Sequence, residues 1–188
     1  MTYNRAYVTT LQAQGKRVKF LLFWGHTEPG PEVTRACLSQ WYPSPFEVEG
    51  TRYHCAEQYM MAQKARLFGD EEVFQEIMAA RHPKQCKALG QRVRGFSEEI
   101  WAVHRVPIVM EGNLAKFSQN DRLKAFLRQT ERRVLAEASP YDRIWGIGLA
   151  ADDPAAESAS RWRGENLLGF TLMKVRDLLA ADGKRICD

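Results

Sequence analysis

The chain has 188 residues, is 45% hydrophobic and 27% charged, and carries a net charge of +4 with a pI near 8.9; that composition builds a core and excludes a largely disordered chain. The mild basicity suits phosphate-bearing partners without amounting to a nucleic-acid signature. No apolar run approaches the ~20 residues that span a bilayer, and Cys37, Cys55, Cys86 and Cys187 lack paired zinc-site spacing, so the sequence reads as a soluble, cytoplasmic protein with reduced thiols and no metal.

In chain order, residues 18–24 form an apolar, β-prone run that predicts a buried strand, and the stretch 25–31 breaks it. Residues 38–46 read as extended chain anchored by Trp41 and Tyr42 ahead of Pro43 and Pro45. Two short β pieces follow within 46–53, joined by a Glu49-Gly50 turn. Residues 55–68 contain no Gly or Pro and are rich in Ala, Met, Gln and Lys, which predicts a helix. Asp70 is placed to cap a second helix through Val73, Phe74, Ile77 and Met78, which His82-Pro83 ends.

Residues 84–93 predict another helix, closed by Gly95, and Ser97 with Glu98 and Glu99 starts one through Ile100, Trp101, Val103 and Val106. Pro107 is expected to kink or break it, with residues 111–117 continuing helically. Residues 121–129 predict a short helix with Leu123, Phe126 and Leu127 facing inwards, and residues 133–138 a strand. The stretch 141–148 is an aromatic, turn-rich loop, and the small, acidic 150–160 reads as a mobile surface loop. A closing amphipathic helix runs through Leu172, Val175 and Leu179, with Asn166 available as its cap. The pattern is that of an α+β chain, mainly helical with a few short strands, and the absence of repeats or linkers predicts one domain over 1–188.

Within 55–68 the apolar face carries charge. Taking about 100° per residue, Met61, Lys64 and Phe68 fall on the side of Glu57. Glu57 and Lys64 are seven residues apart, about 10.5 Å along the axis, too far for the i,i+4 pairing of a helix. They are a buried structural pair, a snorkelling pair, or two groups that flank a ligand cavity, and the spacing favours the last.

Other candidates carry plainer alternatives. Trp41, Trp101, Trp145 and Trp162 are core residues or ligand platforms, with Trp145 and Trp162 favoured as platforms by their loop-like surroundings. Gly146 and Gly148 formally fit a dinucleotide fingerprint, but Asp152, Asp153 and Pro154 follow where a helix is required. These glycines therefore admit the close approach of a ligand or make a tight turn. Asp142 is an Asx-turn residue, or a second carboxylate for glycosyl chemistry. His26, His54, His82 and His104 show no triad or metal spacing, while Arg92, Arg94 and Lys116 are either phosphate ligands or solvated charges.

Seven segments in order, Leu38-Ser39-Gln40-Trp41-Tyr42-Pro43, Cys55-Ala56-Glu57-Gln58-Tyr59, Ala62-Gln63-Lys64-Ala65, Lys116-Phe117-Ser118-Gln119-Asn120, Glu137-Ala138-Ser139-Pro140-Tyr141-Asp142, Ile144-Trp145-Gly146-Ile147-Gly148 and Trp162-Arg163-Gly164-Glu165-Asn166-Leu167-Leu168-Gly169, resemble the NADAR family, also called YbiA-like, over roughly residues 20–179. The resemblance implies a predominantly helical α+β domain. It also implies an N-glycosidase acting on ribosylamino-pyrimidine phosphates of riboflavin synthesis, or on ADP-ribose linked to guanine in nucleic acid. The active-site role carries over to Glu57 and Lys64, then to Trp101, Asp142, Trp145 and Asn166. Gln40 stands where related sequences often have Asn, and Cys55-Ala56 where some have Thr-Ser, so a hydroxyl contact there falls away.

An oxocarbenium-like state requires a carboxylate near the anomeric carbon and a proton for the leaving nitrogen. Glu57 is expected to supply electrostatic stabilisation or acid/base transfer. Lys64 is either a fixed charge or, with a lowered pKa, an amine that attacks ring-opened ribose. Trp145 is expected to stack on the base, with Asn166 near ribose or phosphate. No cofactor is required. A non-catalytic module that senses NAD or ADP-ribose is the competing expectation, and the oligomeric state is left open.

Overall fold

A computed structural model describes residues 2–28 and 30–182, so Cys187 lies outside the described residues. These residues form seven α-helices and four short strands, the mainly helical α+β fold expected. Contacts group the chain into two units, Gln40–Asp121 and the remainder.

The unit Gln40–Asp121 begins with an antiparallel hairpin of β2 (Phe46–Val48) and β3 (Thr51–Tyr53). Glu49 (φ 49°) and Gly50 (φ 73°) are both left-handed, the conformation that joins two strands by a two-residue turn. Helix α2 (Ala56–Leu67) packs against α3 (Glu71–Ala79), α4 (Pro83–Gly90) and α5 (Glu98–Ser118). Buried Gln58 ties these elements: its Oε1 accepts from His54 N at 2.9 Å, and its Nε2 donates to the Ile77 carbonyl at the end of α3 at 3.0 Å. Asp70 caps α3 through Val73 N. The same carboxylate accepts from Arg94 N and Nε at 2.8 and 3.0 Å, and the guanidinium holds it well below the usual carboxylate range. Helix α4 stops at Gly90, short of the expected Val93.

Pro107 neither breaks nor interrupts α5. Its ring removes one amide, a loss worth roughly 3 kcal/mol in an isolated helix. Residue 107 is exposed and Val103, whose carbonyl loses the amide, is 70% exposed, so water can serve that carbonyl. Packing of α5 on α2 and β2 then carries the helix through.

A close approach joins α5 to α2. A Cβ on Gly112 would stand 2.5 Å from Cδ1 and 3.0 Å from Cε1 of Tyr59. That ring is pinned between Phe46 and Tyr53, with its hydroxyl donating to Glu111 at 2.7 Å. Alanine gains up to about 1 kcal/mol of helix propensity, but overpacking against a ring that cannot move costs about 1–3 kcal/mol. Gly112→Ala is therefore expected to be net destabilising by about 1–2 kcal/mol in urea unfolding.

In the other unit, β1 (Phe20–Phe23) pairs in parallel with β4 (Val134–Glu137), Phe20 opposite Val134. The strand is only half-buried: Phe23 alone is fully covered and Trp24 is 59% exposed. A two-stranded sheet leaves β1 without a second neighbour, which corrects the expected buried strand. Helix α6 (Asp121–Gln129) buries Leu123 and Leu127 while Phe126 remains half-exposed.

Helix α1 (Arg5–Ala13) has no counterpart in the sequence reading, which takes the first residues only as polar; Val8 is its one buried side chain. Asn4 caps it through Tyr7 N at 2.8 Å. It holds the segment read as a mobile loop: Arg5 donates to the Ala159 and Ser160 carbonyls, Gln12 bonds both Glu157 and Ala159, and Ala155, Ala156 and Ala159 are buried.

Helix α7 (Leu167–Asp182) packs on β4. Asn166 precedes it with φ 58°, but its side chain does not cap the helix. Its Oδ1 accepts from Glu137 N at 3.0 Å and its Nδ2 donates to the Leu135 carbonyl at 2.9 Å, bracing the buried strand β4.

Candidate active site

In the unit Gln40–Asp121, α2 places Glu57 in its first turn and Lys64 in its last, the two ends where the helix dipole favours an anion and a cation respectively. Glu57 is 4% exposed, and its backbone N–H donates to the Gln40 carbonyl at 2.9 Å. Around it the core is polar. Lys116, on α5, is fully buried, with its ammonium 5.6 Å from the Tyr42 ring centre and 5.1 Å from that of Phe117. Cys55 lies within the field of both charges, raised by Glu57 and lowered by Lys116, with burial dominating and pushing the thiol up to about 11. Burial pushes Cys86 up to about 12. Neither thiol is a nucleophile at neutral pH.

Asn113, also fully buried, donates from Nδ2 to Gln40 Oε1 at 2.8 Å and to the Val109 carbonyl at 2.8 Å. Gln40 Nε2 and Asn113 Oδ1 are left buried with no hydrogen-bond partner among the described residues. A donor and an acceptor unsatisfied on adjoining side chains is what a polar ligand would complete. The sequence offered Lys116 as a phosphate ligand or a solvated charge and Gln40 as a departure from the family pattern, but Lys116 is buried rather than solvated and Asn113 was missed; only the helical spacing of Asn113 and Lys116, three apart on one face, could have paired them.

Lys64 stands elsewhere on α2. Its Nζ donates to the Gly90 carbonyl at the end of α4 at 2.8 Å, and lies 4.1 Å from the Phe96 ring centre and 5.7 Å from that of Trp101. Burial lowers its pKa from the ordinary lysine value, with Glu98 pulling the other way. The structure thus brings Lys64 together with Trp101. The basic residues Arg92 and Arg94 are engaged at the surface with Glu76 and Asp70.

In the other unit, the residues selected from sequence cluster after the carboxyl end of β4. Asp142 Oδ1 accepts from Ile144 N at 2.9 Å and Trp145 N at 2.7 Å, an Asx turn that fixes the loop and half-buried Trp145. Gly146 and Gly148 admit protein rather than a ligand. A Cβ on Gly146 would meet the Glu137 and Asp142 carbonyls at 2.8 and 2.9 Å, and one on Gly148 would meet Arg163 Cβ at 2.9 Å. Asn166 is fully buried with both ends of its amide committed to β4, so its side chain offers a ligand no exposed surface. Trp162 is core: its indole N–H donates to the Ala156 carbonyl at 2.8 Å and it packs on Phe20 and Phe170. Among the described residues of this unit, the exposed aromatics are Trp24, just past β1, and Tyr141, just past β4, 59% and 86% exposed with ring centres 6.4 Å apart. Sequence reading placed Trp24 inside a strand and missed it.

A family model described as the NADAR domain matches residues 22–180. The chain belongs to the NADAR family. Among the NADAR protein's relatives, an N-glycosidase of Acanthamoeba polyphaga mimivirus is 47% identical over 145 residues, covering 74% of this chain and 85% of that protein. N-glycosidase YbiA of Escherichia coli is 28% identical over 138 residues, covering 73% and 78%. The NMR structure of Escherichia coli YbiA superposes with a TM-score of 0.67 at 25% identity over 89% of this chain and 88% of that one. Among the described residues of the NADAR chain, no three or more His, Cys, Asp or Glu side chains gather as a metal set, and no helix is long and apolar enough to cross a membrane.

Proposed function

We propose that this NADAR protein is an N-glycosidase that cleaves the bond between a ribosyl phosphate or ADP-ribosyl group and a base or exocyclic amine. The enzyme class rests on the N-glycosidases to which it is similar. The observation that carries the site is the polar core beside Glu57, where Lys116 is fully buried and Gln40 Nε2 and Asn113 Oδ1 await a partner. Glu57 stabilises the oxocarbenium-like carbon and takes a proton from the water that attacks it, while the departing nitrogen takes up the bonding pair and, by way of Glu57, that proton. The unsatisfied amide atoms suit the hydroxyls of a ribose. In the other unit, Asp142 holds Trp145 in its loop and Asn166 braces β4.

The substrates in view are guanine-linked ADP-ribose and ribosylamino-pyrimidine phosphate. Incubated with the purified chain, at least one is expected to release its base. If both bind and neither is cleaved, the protein is an ADP-ribose or nucleotide sensor and the hydrolase reading fails.

One further outcome refines the roles. Burial lowers the Lys64 pKa from the ordinary lysine value, the direction that a covalent part in catalysis requires. Borohydride added during turnover is expected to leave a reduced ribosyl adduct on the peptide carrying Lys64; no added mass makes Lys64 a fixed charge.

A further inference from the structure

The parallel pairing of β1 with β4 gathers two basic runs at the amino ends of the strands. Lys16, Arg17 and Lys19 precede β1, Arg132 and Arg133 precede β4, and Val134 N donates to the Lys19 carbonyl at 2.9 Å. At this edge lies a cleft of about 540 Å³, lined by Lys16, Arg17, Arg132, Arg176, Tyr3 and Tyr7 among others. Glu131 and Asp177 are its acids, so four cations against two carboxylates leave it two charges positive. Asp177 is itself occupied, accepting from the Tyr3 hydroxyl at 2.7 Å.

Arg176 is 5% exposed, and the partners of its Nη1 are neutral oxygens, Thr130 Oγ1 at 2.8 Å and the Arg133 carbonyl at 3.0 Å. A guanidinium taken out of water is costly unless an anion compensates it; Asp177 and Tyr3 offset part of that cost, and burial still outweighs them. The Tyr3 and Tyr7 rings pair edge to face, centres 5.8 Å apart, and give the cleft an aromatic side. Its volume falls in the range of small-ligand sites, and the fork of an arginine matches phosphate oxygens.

We propose that this cleft binds an organic phosphate of mononucleotide size, its phosphate on Arg17, Arg132 and Arg176 and its ring against the tyrosines. Six of the lining residues, from Tyr3 to Val18, precede residue 22, where the family match begins. Half of the lining is thus an addition outside that match, and the site stands whether or not Glu57 hydrolyses a glycoside.

Hydrogen exchange read by mass spectrometry locates the ligand on the full chain. AMP at about 1 mM is expected to slow exchange in peptides covering 3–18 and 131–134. Reversing two exposed charges, Arg17→Glu with Arg132→Glu, is expected to weaken AMP at least about tenfold with the thermal melt unchanged. Inorganic phosphate is expected to bind at least about tenfold more weakly than AMP. Protection confined to other segments, AMP binding indifferent to the charge reversal, or equal affinity for AMP and inorganic phosphate each overturns the proposal.

Discussion

Glu57→Gln is expected to lower kcat for N-glycoside hydrolysis by about a thousandfold, within the range for loss of a general acid–base group, while the protein remains folded. The substitution keeps the size of the side chain and its place in the first turn of α2, and removes only the charge. Since Glu57 is 4% exposed, a larger truncation would open a cavity and confuse catalysis with packing. The folded control is a thiol titration: Cys55, raised to about 11 by burial with Glu57 adding to it, should move down once the carboxylate is gone. Glu57→Asp, which keeps the charge but withdraws it by one methylene, should retain more activity than the glutamine variant. A glutamine variant that turns over substrate like the wild type removes Glu57 from the chemistry, whatever else the pocket binds.

Much of this was legible in the sequence, for reasons that particular residues make plain. The periodicity of 55–68, the Glu49-Gly50 turn and the Asp70 and Ser97 caps act within a few residues of chain, and all four elements form where expected. The two charges on α2 were visible as an anomaly of the apolar face. Their environments were not, because Lys64 is set by Gly90 and Phe96, and the core around Glu57 by Gln40, Asn113 and Lys116. Those partners are 17–59 residues distant from the charge they accompany, beyond any local pattern. Asn166 misled for the same reason: its position ahead of α7 is that of a cap, yet the amide is held by β4, about thirty residues earlier. Pro107 obeys its local rule, but the packed face of α5 outweighs it. Helix α1 is held by backbone carbonyls of 157–160, a dependence no polar segment announces.

The joint between α7 and β4 yields the largest expected stability effect. Gly169 lies in the first turn of α7 directly against the strand. A Cβ there would overlap the Leu135 carbonyl oxygen and stand 2.6 Å from both Nδ2 and Oδ1 of Asn166. Neither neighbour can yield. The carbonyl belongs to backbone in a strand, and the amide is fixed at both ends by that same strand. The roughly 1 kcal/mol of helix propensity gained by replacing glycine is therefore small beside the overpacking and the loss of two buried hydrogen bonds, each worth about 1 kcal/mol or more when a partner is left unsatisfied. Gly169→Ala is expected to lose about 3 kcal/mol or more in urea unfolding. Asn166→Asp tests the same joint from its other side. It keeps an acceptor for Glu137 N but sets an oxygen against the Leu135 carbonyl, and should lose about 1–3 kcal/mol with the backbone of Gly169 untouched. If Gly169→Ala instead melts like the wild type, α7 can lift from β4 without cost, and the bracing role given to Asn166 goes with it.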